Sequence, residues 1–213
     1  MLRTGFNILD VHSAGPLYGR LNLLLADTPF NKTYFIANVV KVMLGSGWLI
    51  QYLDLDTFFT AYTRVNLLSL PCSENLRVYN PDFDTLDQHI SLVCSTFSKE
   101  SQLIVLDSIP TVYHIFAGRS KPSEVNWRVG LYVAVLLQHI RENGGAILAS
   151  SLLRSKKIRE GMWVSSYPGG MLMNLRSATI YELKNVGEKI EVKVVKHERK
   201  SVEGRAWSLP IVF

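Results

Sequence analysis

Apolar positions along this chain follow two rhythms. Over the first 150 residues, short unbroken apolar runs alternate with stretches in which apolar residues return every three or four positions. The unbroken runs "RLNLLLA" (20–26), "WLIQYLD" (48–54), "LRVYN" (76–80), "QLIVLDS" (102–108) and "AILASS" (146–151) have the length of strands buried on both faces. Between them, "KTYFIANVVKVMLGSG" (32–47) gathers Phe35, Val39, Val42 and Met43 on one helical face, and Gly45 and Gly47 stop it. A second helix precedes "LRVYN", and "TLDQHISLVCSTFSKE" (85–100) carries Leu86, Ile90, Val93 and Phe97 at helical spacing. A long helix runs from about Val125 to Asn143 and ends at Gly144-Gly145. Alternating elements of this kind predict a mainly parallel central sheet flanked by helices on both sides. The last third changes to strict apolar–polar alternation in "ATIYELKN", "KIEVKVVKHE" and "AWSLPIVF", joined by turns around Gly187 and Gly204. These read as antiparallel strands that extend one sheet edge.

Composition narrows the class. A chain of 213 residues with 47% hydrophobic content suits a single domain spanning 1–213. The formal charge of +5 tilts expectation toward an anionic partner. Cys72 and Cys94 form neither a metal-ligand spacing nor a disulfide framework, which suits a reducing compartment. No apolar run reaches the length of a membrane span, and "MLRTGFNILD" lacks the apolar core of a signal peptide. The expectation is a cytoplasmic protein without a membrane partner.

"ADTPFNKTYF" (26–35) stands between a strand and a helix, the place of a phosphate-binding loop of pattern G-x-x-x-x-G-K-[ST]. Lys32 and Thr33 are in register, but the glycine positions hold Ala26 and Asn31. Such loops wrap phosphate with backbone N–H groups at a helix N-terminus. Pro29 offers no N–H, Phe30 is bulky, and Asn31 replaces the glycine that allows close approach. Lys32 could still neutralise phosphate and Thr33 could still ligate Mg²⁺; an incidental "NKT" at a helix start is the bland alternative. Asp107, ending "LIVLD", stands where an NTPase holds its metal-bound water. Asp54 and Asp56 end the intervening strand, where a carboxylate polarises an attacking water or caps the next helix.

Five stretches in order resemble the RecA/RadA recombinase superfamily, and within it the short RadA paralogues of archaea. "TGFNILDVHSAGPLYGRLNLLLADTPFNKT" is similar to the family's opening, "YLDLDTFF" to Y-I-D-T-E-G-T-F, and "LIVLDS" to its second nucleotide motif. "SYPGGMLMNLRSATIYELKN" resembles the turn and strand of recombinases, and "KVVKHERKSVEG" their K-x-x-D/H-S-P-x-x-P-E-G segment without its prolines. The resemblance implies a RecA-like core in which Lys32, Thr33, Asn31 and Asp107 meet nucleotide, with Thr33 and Asp107 serving Mg²⁺. The family's catalytic glutamate falls on Asp56, whose reach is shorter by about 1.5 Å. Little or no ATP hydrolysis is expected, and nucleotide binding stays open. Ser150 and Ser151 fall on the family's nucleotide-sensing Asn-Gln pair. An N-terminal helical DNA-binding domain and an F-x-x-A docking segment are missing from the pattern.

The family holds DNA with two loops at the carboxyl ends of its strands. The first corresponds to "HIFAGRSKPSEVNW" (114–127) with Arg119 and Lys121. The second corresponds to "SLLRSKKIREGMWVSSYPGG" (151–170), with Arg154, Lys156, Lys157, Arg159 and Trp163. Cations track a phosphate backbone and an aromatic stacks on a base; the bland alternative is a solvated basic loop. Lys193, Lys196, His197, Arg199, Lys200 and Arg205 extend that groove or keep an edge strand soluble. Trp48, Trp127 and Trp207 are expected in core or interface, and His12, His89 and His139 make no metal site. The function implied is an accessory factor of recombination and repair that binds DNA, preferably single-stranded, and modulates a RadA-type recombinase or another paralogue. A slow ATPase with a tolerated variant loop and a non-catalytic partner subunit remain the alternatives.

Overall fold

A computed structural model describes residues 1–96, 102–159, 162–166 and 170–211; of residues 154–159, 162–166, 170 and 171 it describes the backbone alone. The elements are α1 (Asn7–Val11), β1 (Leu21–Ala26), α2 (Pro29–Gly45), β2 (Leu49–Asp54), α3 (Phe58–Arg64), β3 (Leu76–Tyr79), α4 (Leu86–Ser95), β4 (Gln102–Asp107), α5 (Ile109–Ile115), α6 (Pro122–Asn143), β5 (Gly145–Leu152), β6 (Arg154–Arg159), β7 (Met162–Ser166), α7 (Gly170–Met173), β8 (Thr179–Val186), β9 (Lys189–Lys196) and β10 (Ala206–Pro210). Eight strands form one sheet in the order β10-β9-β8-β1-β5-β4-β2-β3. From β8 to β3 every neighbour is parallel, and β9 and β10 add the antiparallel edge that alternation predicts.

β1 lies near the centre and is buried at every position. Its odd and even side chains enter different layers, as the two-residue strand period requires. Leu21, Leu23 and Leu25 join the layer built with α4, α5 and α6, while Leu24 and Ala26 join the layer built with α1, α2 and α3. Asn22, buried within this run, is satisfied: its Nδ2 donates to Leu17 O and Ile147 O and its Oδ1 accepts from Leu17 N. A second buried polar group spans three elements. Gln51 Nε2 donates to Gln102 Oε1 at 3.1 Å, and Gln102 Nε2 meets His139 Nε2 at 2.7 Å.

Gly145 opens β5 with φ +142, and a Cβ placed there would stand 2.3 Å from the Gln102 carbonyl oxygen. The neighbouring parallel strand therefore leaves space for hydrogen alone. We expect Gly145→Ala to lower folding stability by about 1–3 kcal/mol, measured by urea denaturation; a neutral result would show that β4 and β5 can separate without cost.

Three departures from the sequence reading matter. α2 begins at Pro29 rather than at Lys32, so the segment expected to be loop is the first turn of the helix. The second family-like loop is a two-stranded antiparallel ribbon, β6 with β7, outside the main sheet. α5 and α6 follow β4, and α6 starts three residues before the expected Val125. The expected helix tail with Phe97, and the Pro168-Gly169 part of the recombinase-like turn, lie outside the described residues.

A closed centre at the carboxyl ends of the strands

β1, β2, β4 and β5 are parallel neighbours in the sheet, so their carboxyl ends and the residues that follow share one end of the molecule. Lys32 on α2, Asp54 ending β2, Asp56 just beyond, Asp107 ending β4 and Ser150 on β5 meet there. What brings Lys32 in is the early helix start. β1 ends at Ala26, Thr28 caps α2 by accepting from Asn31 N–H at 3.2 Å, and Pro29 occupies the first turn, where its missing N–H costs nothing. Lys32 N–H already donates to Thr28 O at 3.3 Å. Only Asp27 and Thr28 remain between strand and helix.

Three backbone donors of this segment, the N–H groups of Asp27, Asn31 and Lys32, are already bonded within the protein. Asp27 N–H goes to Leu183 O, and the Asp27 carboxylate accepts from Asn31 Nδ2 at 2.8 Å and from Asn185 N–H at 2.6 Å. That carboxylate stands in the short connection between β1 and α2. Thr33 Oγ1 donates to Pro29 O at 2.9 Å, and Asn31, Lys32 and Thr33 are completely buried.

Lys32 extends inward. Its ammonium donates to Asp56 Oδ2 at 2.5 Å and to Asp107 Oδ1. Asp107 is also held by Ser150, whose hydroxyl donates to Oδ1, and by Tyr52, whose hydroxyl donates to Oδ2 at 2.6 Å. Burial works against the charge on Lys32, but the carboxylates of Asp107 and Asp56 outweigh it and raise its pKa above the ordinary value. Burial raises the pKa of Asp56, Asp107 adds to that rise, and Lys32 opposes it. Burial likewise raises Asp54, against the hydrogen bonds from Thr60. Burial beside Asp107 lifts the Tyr52 phenol well above its usual range.

Aromatic rings close the front. The Phe58 ring centre is 5.6 Å from Lys32 Nζ. Phe58 contacts Tyr62 at 5.9 Å between ring centres, Tyr62 contacts Phe30 at 6.1 Å, and Phe30 stacks on Tyr34 at 5.7 Å. A Mg-nucleotide does not fit these residues as they stand. Its phosphates would have to displace the rings, uncoil the first turn of α2 and pull Lys32 from two carboxylates.

The other sequence-predicted residues separate into two places. Arg119 lies over the Phe83 ring at 4.2 Å, and Lys121 is exposed at the start of α6, in the connection that follows β4 and α5. Arg154, Lys156, Lys157, Arg159 and Trp163 are in the β6–β7 ribbon that follows β5, with Lys157 paired to Trp163; their side chains lie outside the described ones. Among the described residues, Ser151 Oγ is buried without a hydrogen-bond partner. Trp48 and Trp207 are buried, whereas Trp127 is 67% exposed. Sequence reasoning missed Tyr52 and Phe58; their signal was an aromatic on each side of the Asp54–Asp56 pair.

The sheet order, the strand-end carboxylates and the lysine helix after β1 define a RecA-like α/β core. The chain is similar throughout to the crystal structure of the RadB recombinase, with a TM-score of 0.73 and 21% identity over 100% of this chain and 96% of that one. At that identity the likeness establishes the fold. No family profile matches the chain, and no curated protein matches it. Among the described residues no helix is long and apolar enough to cross a membrane.

Proposed function

We propose that this chain is an accessory factor of homologous recombination and repair, of the RadA-paralogue kind, that works without turning over ATP. The observation that carries the second half is the burial of Lys32 between Asp56 and Asp107 behind aromatic rings. A phosphate-loop lysine committed to two carboxylates is not available to a phosphate. Likeness to a RadB recombinase structure supports the first half.

In this reading the chain binds DNA, preferably single-stranded, at the end of the sheet where the β6–β7 ribbon and the Arg119–Lys121 connection both emerge. Arg154, Lys156, Lys157 and Arg159 neutralise phosphates, with Arg119 and Lys121 extending the track, and Trp163 stacks on a base. Its protein partner is a RadA-type recombinase or another paralogue. The second reading, a non-catalytic partner subunit that does not bind DNA alone, is favoured by Trp127, Leu131 and Val135, which stand exposed at four-residue spacing along α6.

Anisotropy of a fluorescent single-stranded oligonucleotide, titrated with the protein with and without Mg-ATP, separates the readings. We expect salt-sensitive binding that Mg-ATP changes by less than about twofold. Binding only with Mg-ATP would restore the slow-ATPase alternative, and no binding in either condition would leave the partner subunit.

A further inference from the structure

Between β5 and β8 the chain leaves the main sheet, pairs with itself as the β6–β7 ribbon and returns through α7. Its way out is fixed by backbone: Leu153 N–H donates to Ala26 O at 2.7 Å, and Arg154 pairs with Ser166 at the base of the ribbon. Its way back is fixed by a side chain. After α7 come two local turns, Leu175 N–H to Leu172 O at 3.3 Å and Ala178 N–H to Leu175 O at 3.0 Å, before β8 begins at Thr179. From β9 the Lys196 ammonium donates to Leu175 O at 2.7 Å and to Met173 O at 3.4 Å. Among the described residues no other side chain donates a hydrogen bond to 170–178. A break in strand register aims Lys196 there. Ile180 pairs with Lys196 but Tyr181 pairs with Val194, so Val195 is an extra residue in β9. Residues paired across antiparallel strands share a face. Ile180 lies in the layer of α4, α5 and α6, together with Leu172 of α7, whereas Tyr181 and Val194 lie in the other layer. Unbroken alternation from Val192 and Val194 would send Lys196 to the α2 side, away from α7.

We propose that Lys196 is a positioning residue for DNA binding: it clasps the returning chain, fixes where the ribbon rejoins the sheet, and contacts no phosphate itself. The inference rests on the DNA-binding reading of the ribbon and adds to it a residue outside the ribbon. An ammonium has three donors on one charge, and here two of them meet carbonyls at the end of α7 and its following turn. Lys196 is half-buried, whereas Lys193, Arg199, Lys200 and Arg205 are exposed. The carboxyl-terminal cations therefore do not act as one set. A two-stranded ribbon is marginal by itself, and β6–β7 pairs outside the main sheet, so its placement depends on its two attachments. A surface already held in its binding position has less freedom to lose when a ligand arrives.

The test compares wild type with Lys196→Met, which removes the clasp, with Lys196→Arg, which keeps its donors, and with Lys193→Met, which removes a charge from the same strand. Amide hydrogen exchange over 162–166 and 172–178 is read by mass spectrometry without DNA. Anisotropy of a fluorescent single-stranded oligonucleotide is read across a salt series. We expect Lys196→Met to speed exchange in both segments by at least about tenfold, with β1 and α6 unchanged. It should weaken DNA binding by at least about fivefold at an unchanged salt slope. Lys196→Arg should recover most of both, and Lys193→Met should leave the exchange as in wild type. A slope lowered by about 0.7, the value of one single-strand phosphate contact, would make Lys196 a direct contact and overturn the proposal. Unaltered exchange, or exchange that rises as much in β1 and α6 as in these segments, would overturn it too. So would faster exchange beside an unaltered DNA affinity. If wild type binds no DNA, it is the DNA-binding reading that fails, and the exchange comparison alone decides the clasp.

Discussion

Lys32→Met should lower the folding stability of this chain by about 3–5 kcal/mol at neutral pH, the range for breaking a buried ion pair from one side. Methionine fills much of the same space, so the loss reports charge rather than a cavity. In the native centre Lys32 is bonded to both Asp56 and Asp107 with no exposure of its own. Its removal leaves those carboxylates facing each other and Asp54 without a cation. The loss should depend on pH in a defined sense. Asp54 and Asp56 already have pKa values above 3.8, through burial first and neighbouring negative charge second, and the substitution removes the one cation that opposes this at Asp56. In the window above 3.8 the native variant holds protons that its unfolded chain releases. Its stability therefore falls as pH rises through that window and returns on acidification. Urea denaturation of wild type and variant at pH 5 and pH 8 reads this directly, with the larger difference at pH 8. A loss below about 1 kcal/mol at pH 8 would place Lys32 among solvated surface pairs and undo the closed centre.

The second large effect concerns DNA. Changing Arg154, Lys156, Lys157 and Arg159 together to Ala should weaken single-stranded DNA binding by about 10²–10³-fold near 0.1 M salt. Each phosphate neutralised on a single strand releases roughly 0.7 of a counterion, so four lost contacts flatten the slope of log affinity against log salt by about 2.8. Trp163→Ala should behave differently: base stacking accounts for about 1–3 kcal/mol per base, and its loss weakens binding without changing the slope. Anisotropy titrations across a salt series distinguish the two. An unchanged slope in the fourfold variant would show that the ribbon does not track the backbone, whatever the affinity does.

How the fold could be read from residues, and where that reading failed, follows from which forces act locally. The unbroken run "LNLLLA" reads as a buried strand because it has strand length, lies before a turn signal and shows no polar face, and β1 is buried throughout. The alternation from Ile190 to Val194 marked the antiparallel edge for the same reason. Helix entry at Pro29 was hidden. Motif register drew attention to Lys32, whereas Thr28 before Pro29 is itself a helix-start signal of ordinary physical meaning. The ribbon was read as loop because "RSKKIR" has no apolar alternation to show a strand against a core, and it pairs with β7 outside the main sheet. At the centre, sequence supplied Lys32, Asp54, Asp56 and Asp107 as separate candidates. It could not show that the lysine turns toward the carboxylates rather than outward, because that depends on where α2 begins and on packing by Phe58 from another element.

The place of β1 in the sheet has a consequence for how the chain is made. β1 is flanked by β5, which starts at Gly145, and by β8, which ends at Val186. A strand finished at Ala26 thus acquires its two neighbours only after well over a hundred further residues have left the ribosome. At roughly 5–20 residues per second that delay is on the order of ten seconds. Throughout it, "LNLLLA" is an apolar strand with both edges open, the kind of segment that adheres to other nascent chains. Synthesis rate and chaperone access during that interval should therefore affect how much of this protein escapes aggregation.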